Sequence, residues 1–414
     1  MRDVYVIGAG MTRFGKYLER NMKSLAEEAA TRALEHARVQ KSDLQAAWVG
    51  NSVQGIVTGQ ESIRGQVVLR SMGIGAIPVM NVENACASAS SAFYGAWMGI
   101  GCGLYDVALA LGMEKLVMED KKKSFQVFWA ATDVELMEAF KAMMESEEQK
   151  KKEMGAKSAG EGSAGKSRSA FMDIYSLAAR NHMKRFGTTQ RQLAIIAAKN
   201  HFHSSMNPFA QYQNDMTVEE VLSAPEISYP LTRPMCSPIG DGAAAAVLCS
   251  KDFAKKIGAD KLVKVRACAL ASGRDRDFDE EDIGGRLSKK AYEMAGVGPE
   301  DINIAEVHDA TAFGELIQTE CLGFCKHGEG GPLAESGATK LGGKLPVNTS
   351  GGLESRGHPI GATGLGQIAE LVWQLKGECG KRQVEGARLA LAENGGGNIG
   401  IEEASMVITI LEKV

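Results

Sequence analysis

The stretch Leu287-Ser-Lys-Lys-Ala-Tyr-Glu-Met-Ala-Gly-Val-Gly-Pro-Glu-Asp301-Ile-Asn-Ile-Ala-Glu-Val307 repeats the pattern of Ala26-Glu-Glu-Ala-Ala-Thr-Arg-Ala-Leu-Glu-His-Ala-Arg-Val-Gln-Lys-Ser-Asp43-Leu-Gln-Ala-Ala-Trp-Val49. Each copy reads as an amphipathic helix, a polar turn ending in aspartate, and a short apolar strand. Working outward, Val4-Tyr-Val-Ile matches Leu262-Val-Lys-Val, and Ala108-Leu-Ala matches Ala390-Leu-Ala across a wider gap. A duplicated unit fixes architecture more firmly than any one propensity. The pattern predicts an α/β protein of two similar halves, the first formed by residues 1–117 and 191–255, the second by 256–414.

Within the first half, strands are expected at Val4 to Ile7, Ala46 to Val49 and Val107 to Leu111. Helices are expected over Ser24 to Ala37 and Cys86 to Gly101. The second helix is rich in small residues, so it should sit close to its neighbours in the interior. Residues 118–190 break the pattern: Lys, Glu and Met dominate from Glu119 to about Arg168, which predicts an inserted helix and linker, either a solvated surface excursion or a lid on the active site. Met137, Met143, Met144 and Met154 would suit an adaptable apolar contact.

The 414 residues carry 47 Lys and Arg against 51 Asp and Glu, a formal charge of −4. No basic surplus exists to displace counterions, which argues against nucleic-acid binding. No apolar run approaches the ~20 residues of a membrane span. The N-terminus enters a strand directly, without a signal-peptide pattern, so a cytoplasmic location is expected. Eight scattered cysteines read as reduced thiols. Cys321, Cys325 and His327 hint at a metal, but no second pair completes a tetrahedral set, and no metal is expected.

Four segments carry chemistry. Cys86, in Asn84-Ala-Cys-Ala-Ser-Ala-Ser-Ser, stands at a helix start, where unpaired N–H groups favour a thiolate and leave donors for an oxyanion. The glycine-rich run Asn348-Thr-Ser350-Gly-Gly-Leu-Glu-Ser-Arg-Gly-His358-Pro-Ile-Gly-Ala-Thr is its counterpart in the second half. It would bring His358 opposite Cys86 as a base. Glu306-Val-His308-Asp ends a strand in an imidazole able to bond a carbonyl. Ala390-Leu-Ala-Glu393-Asn394-Gly395-Gly-Gly ends another in bare N–H donors.

These blocks, in this order, resemble the thiolase family over essentially the whole chain, with Gly357-His358-Pro359-Ile-Gly-Ala-Thr-Gly as the most specific part. The resemblance implies a five-layer αβαβα fold of two βαβαβαββ halves. It implies an acyl transfer in which Cys86 takes the acyl group from a 3-oxoacyl-CoA and His358 activates it. His308 would help hold one oxyanion, and the N–H groups of Cys86 and Gly395 the other, with Asn394 and Ser350 beside the substrate. His308-Asp309 is similar to the sterol-carrier-type and archaeal branch. The family's second cysteine is missing: its two usual positions hold Glu393 and Ala310, so Glu393 is the candidate for proton transfer. Coenzyme A is the implied co-substrate, with no tightly bound cofactor. A homodimer or tetramer and a small zinc-ribbon/OB-fold partner protein are also implied. A bulky branched or aromatic acyl group, as in 2-benzoylsuccinyl-CoA, is the expected substrate type. The rival readings are a thiolase-like retro-aldolase and a non-catalytic acyl-CoA-binding subunit.

Overall fold

The computed structural model describes residues 1–120, 124, 127–135, 170–277 and 280–414. The expected insert, with its four methionines, lies mostly outside the described residues. Its C-terminal end enters a helix, α3 below.

Both copies of the repeat form the same local structure. Asp43 closes a single helical turn by accepting the Gln40 N–H at 2.9 Å, and Asp301 does the same for Gly298 at 2.8 Å. Each turn feeds a short strand. In the first copy these elements are β1 (Val4–Met11), α1 (Met22–Ala37), β2 (Ala46–Gly50), β3 (Val79–Val82), α2 (Ser88–Gly101), β4 (Val107–Glu114) and β5 (Gly242–Ser250). Between β4 and β5 lie α3 (Ala170–Phe186) and α4 (Gln190–Ser205). The second copy contributes β6 (Val263–Ser272), α5 (Ile283–Ala295), β7 (Ile304–Glu306), α6 (Ala312–Cys321), α7 (Thr363–Lys376), β8 (Leu389–Ile399) and β9 (Glu402–Lys413).

The strand order β3-β2-β4-β5-β1-β6-β9-β8-β7 is a mirror sequence about the β1/β6 seam. The register is duplicated as well: Ala46 pairs with Ala108 in parallel, and the equivalent Ile304 pairs with Ala390. A parallel bridge from Ala305 to Val347 stands where β3 pairs with β2 in the first half. At the seam Tyr5 and Val6 pair antiparallel with Lys264 and Val263, joining the two sets of strands into one sheet.

Burial gives the layers their order. Leu25, Ala26, Ala29 and Ala33 of α1 pack on the outer face of the first half, with Ile7, Leu109 and Val247. Leu287 and Ala291 of α5 cover the second half over Leu391 and Ile408. Between them lie α2 and α7, sharing one core with Val6, Ala110, Ala246, Ala390 and Val407 of both halves. The helical layers therefore alternate with the strands, as the five-layer expectation requires. The small residues of α2 permit the close approach: a Cβ on Gly364 of α7 would lie 2.8 Å from Ser90 N. The two innermost helices bring their N-terminal ends together, and with them Cys86 and His358.

No helix among the described residues is long and apolar enough to cross a membrane. Strand β3 is absent from the sequence expectation. It is a four-residue edge strand, Val-Met-Asn-Val, only partly buried, so it shows neither an apolar run nor clean alternation.

Candidate active site

Cys86 sits in the single helical turn Ala85–Ala87, one turn ahead of α2, rather than inside the helix itself. Ala85 has φ +47°, a left-handed conformation that costs a residue with a Cβ about 1 kcal/mol or more. Four bonds hold the turn: Ala85 N–H to Glu83 Oε1 at 2.6 Å, Asn84 N–H to Ser88 Oγ at 3.0 Å, Ser88 Oγ to Ala85 O at 2.6 Å, and Ala87 N–H to Asn84 O at 2.9 Å.

A thiol sulfur and two imidazole nitrogens converge at this turn. The donor atoms of Cys86, His308 and His358 all lie within 4.8 Å of one another. The two imidazole rings meet edge to face, centroids 5.2 Å apart at 83°. Among the described residues this is the one group whose ligand atoms could close around a metal ion. Cys321, Cys325 and His327 do not converge: Cys321 Sγ donates to Asp282 at 2.9 Å and His327 bonds Glu320 at 2.8 Å.

Hydrogen bonds assign the protons. Thr363 Oγ1 donates to Pro359 O at 3.1 Å, so its lone pair accepts from His358 Nδ1, 2.7 Å away. That leaves His358 Nε2 with a free lone pair, the form a general base needs. Asn394 Nδ2 donates to His308 Nδ1 at 2.9 Å, so His308 carries its proton on Nε2 and is a donor. One imidazole accepts and the other donates.

Burial controls the charges. The enclosed sulfur of Cys86 has its thiol pushed up to about 12, although N–H groups of Gly397 and of Cys86 itself favour the thiolate. Burial also lowers His308 to about 4 and His358 well below the usual histidine range, the latter with help from His308 and Arg356. The resting pair is therefore a neutral thiol beside a neutral imidazole, and the sulfur loses its proton only as it attacks.

The trio opens into a cavity of about 460 Å³ that Phe128, Phe171, Tyr175 and Ile360 help to line, with the exposed cations Lys16 and Arg233 at its edge. Gly395, Gly396 and Gly397 form part of the wall. Gly396 has no room for a Cβ, which would meet Asn84 O and lie 2.5 Å from Ala87 N.

The remaining expected residues are elsewhere. Ser350 is not in the cavity wall: its hydroxyl bonds Glu306 Oε2 at 2.5 Å and its N–H bonds Glu306 Oε1, in a fully buried network with Arg356. Asn394 is likewise outside the wall and acts on His308 through its amide. Glu393 is fully buried on the same face of β8 as Gly395: Oε2 accepts the His308 backbone N–H at 2.8 Å, and Oε1, 3.7 Å from where a Cβ on Gly395 would lie, has no hydrogen-bond partner among the described residues. Low solvation, partly offset by that bond, pushes it up to about 8.

Three contributors escaped the sequence reading. Thr363 orients His358. Glu114, pushed up to about 7 by burial, accepts the N–H groups of Gly361 at 3.0 Å and Ser52 at 3.0 Å and the Asn51 amide at 2.9 Å. It thereby ties the His358 loop to the first half. Glu403 lines the cavity itself. Thr363 lies five residues from His358 in the glycine-rich run, a signal available in the sequence; the other two depend on register.

Comparison with known proteins follows the same outline. Residues 4–223 match the family described as "Thiolase, N-terminal domain", and residues 276–412 match "Thiolase C-terminal domain-like". The chain is 39% identical to an acetyl-CoA acetyltransferase of Methanothermobacter thermautotrophicus, over 97% of this chain and 98% of that one. It is 35% identical to the benzoylsuccinyl-CoA thiolase subunit BbsB of Thauera aromatica, over 96% and 95% respectively. Among solved structures it is similar to an Ltp2-ChsH2(DUF35) aldolase, with TM-score 0.74, 23% identity, and coverage of 99% and 98%.

Proposed function

The chain belongs to the thiolase family, and on that premise we propose that it is an acyl-CoA C-acyltransferase that cleaves or forms a 3-oxoacyl-CoA through an acyl-Cys86 intermediate. The observation that carries this reading is the convergence of the Cys86 sulfur with one accepting and one donating imidazole within 4.8 Å. Cys86 Sγ attacks the 3-oxo carbon while its proton passes to His358 Nε2. The Cα–Cβ bond then breaks, and the electron pair leaves as the enolate of a shorter acyl-CoA, held by His308 Nε2–H. CoA next attacks the acyl thioester, and Cys86 leaves with its proton returned by His358. The second oxyanion is assigned to N–H groups of Cys86 and the glycine wall, where Gly395 is the family-matched donor and Gly397 already faces the sulfur. Two half-reactions predict ping-pong kinetics.

Coenzyme A fits as co-substrate because Lys16 and Arg233 offer positive charge at the cavity edge. The aromatic lining favours a bulky or aromatic acyl group, in line with the similarity to BbsB. A non-catalytic binding role leaves the buried, oriented trio unexplained, and a retro-aldol cleavage leaves Cys86 without a task. Assembly as a homodimer or tetramer, with a small zinc-ribbon/OB-fold partner, belongs to the same proposal, and sedimentation of the purified chain with and without such a partner tests it.

The decisive experiment is mass spectrometry of the protein after mixing with a panel of 3-oxoacyl-CoA thioesters. An adduct of acyl mass on Cys86 is expected, largest for aromatic acyl groups. Wild-type turnover in Cys86→Ser would overturn the reading.

A further inference from the structure

The reaction above needs two proton carriers. His358 holds the proton of Cys86 from attack until the sulfur leaves again. During that interval the departing enolate carbon must gain a proton and the incoming thiol must lose one. A second group, facing the same cavity, has to give and then take that proton.

Among the described residues that line the cavity of Cys86, His308 and His358, Glu403 is the one carboxylate. It stands on β9, directly across the hairpin from the end of β8, where Asn398 pairs with Glu403. The glycine wall separates it from the nucleophile turn. A Cβ on Gly395 would lie 3.1 Å from Glu403 Cγ, and one on Gly397 would lie 3.5 Å from the Ala85 Cβ. Glu403 and Cys86 thus line the same cavity on either side of residues that carry no side chain, while Glu393, whose Oε1 is equally close to Gly395, is absent from its wall. Glu403 Oε1 accepts a weak bond from Gln318 Nε2 at 3.4 Å, which leaves it free to exchange a proton. Glu403 also borders a second cavity of about 840 Å³, and Phe171, Tyr175 and Gly397 are common to both. It stands where the two cavities meet, with a route for proton exchange.

Resting on the acyl-cysteine reading, we propose that Glu403, not Glu393, is the second proton carrier. Its carboxylic acid gives a proton to Cα of the departing enolate, forming the C–H bond of the shorter acyl-CoA and leaving the carboxylate. That carboxylate then takes the S–H proton of CoA as the CoA sulfur bonds the acyl carbon. Collapse expels the Cys86 thiolate, which recovers its proton from the His358 imidazolium, and all three groups return to their starting forms. Glu393 is turned toward the His308 N–H and acts as a positioning residue.

The charge environment supports the role. Burial first, then Asp282 and Glu402, push Glu403 up to about 7, with Arg276 opposing. The other titratable groups facing it are Glu393, Tyr175 and Cys321. A proton carrier is most effective when its pKa is close to the working pH.

The test is exchange of the product's Cα hydrogens with deuterium oxide, followed by proton NMR, alongside thiolysis in Glu403→Gln. Exchange should be abolished and kcat should fall about 10²- to 10⁴-fold. The limb near pH 7 in the rate profile should vanish, while iodoacetamide still modifies Cys86. In Glu393→Gln that limb should persist close to its wild-type position, because Glu393, pushed up to about 8, is already protonated where Glu403 titrates. Exchange within threefold of wild type in Glu403→Gln, or exchange lost in Glu393→Gln and kept in Glu403→Gln, would overturn the assignment. If the amide variant does not fold, Glu403→Asp serves: it should slow exchange about tenfold and keep a pH limb, and wild-type exchange would count against Glu403. The two claims separate cleanly. Thiolysis by Cys86→Ser sinks the acyl-cysteine reading whatever Glu403 does; exchange by Glu403→Gln sinks only the assignment.

Discussion

Thr363 Oγ1 lies 2.7 Å from His358 Nδ1 and gives its own proton to Pro359 O. One hydroxyl therefore decides which nitrogen of the base is free to take the thiol proton. Thr363→Val removes that acceptor and leaves a buried N–H unpaired, at a cost of about 1–3 kcal/mol. Thiolytic kcat should fall about 10- to 100-fold with KM little changed. Thr363→Ser should restore most of it in steady-state assays.

A thiol pushed up to about 12 and a lowered imidazole predict a distinctive pH response. A raised thiol pKa means that the thiolate is a minor form throughout the neutral range, and its fraction grows as pH rises. The rate of Cys86 alkylation by iodoacetamide should keep increasing from about pH 6 to 9. A plateau reached below pH 7 would mean a preformed thiolate–imidazolium pair and would contradict the site described above.

Glu114 gathers four N–H donors, from the Asn51 amide, Ser52, Val53 and Gly361, and so joins the His358 loop to the first half. Glu114→Ala strands those donors without water. A loss of about 3–5 kcal/mol in urea unfolding is expected, together with reduced kcat because the loop bearing His358 loses its anchor.

Gly396 lies flat against the nucleophile turn, with no room for a methyl group between Asn84 O and Ala87 N. Gly396→Ala must push that backbone aside. We expect destabilisation of about 1–3 kcal/mol and a larger effect on catalysis, at least about 100-fold in kcat. Labelling of Cys86 should slow in parallel, and unchanged labelling would refute the close contact.

The same three donor atoms form a soft, closely spaced ligand set. Zinc at micromolar concentration should inhibit by binding the Cys86 thiolate with His308 and His358, releasing a proton as it does so. Chelator should restore activity. One equivalent of zinc should be lost in Cys86→Ser by elemental analysis.

The architecture was legible because duplication writes the same punctuation twice. Asp43 and Asp301 end equivalent turns, so the strands after them, and the helices before them, could be aligned without any structural knowledge. Cys86 and His358 were legible for a related reason: each stands where a helix begins, at matching points of the two copies. Register was hidden. Glu403 sits in an ordinary acidic run, Ile401-Glu402-Glu403, and only the hairpin pairing with Asn398 turns it toward the glycine wall. Glu393 and Ser350 were expected beside substrate, yet Glu393 is held by the His308 backbone N–H and the loop winds tightly over Gly352–Arg356, so both carry buried hydrogen bonds instead. The short edge strand β3 had too few residues to declare a period.

The seam between β1 and β6 has a consequence for how such a molecule can be divided. Tyr5 and Val6 bond across it to Lys264 and Val263, and the two innermost helices belong to opposite copies yet fill one shared interior. What began as two matching pieces has become a single folding partner to itself. Severed near residue 256, each fragment would bare an oily face and half of a reaction centre, and neither could be expected to survive alone in water.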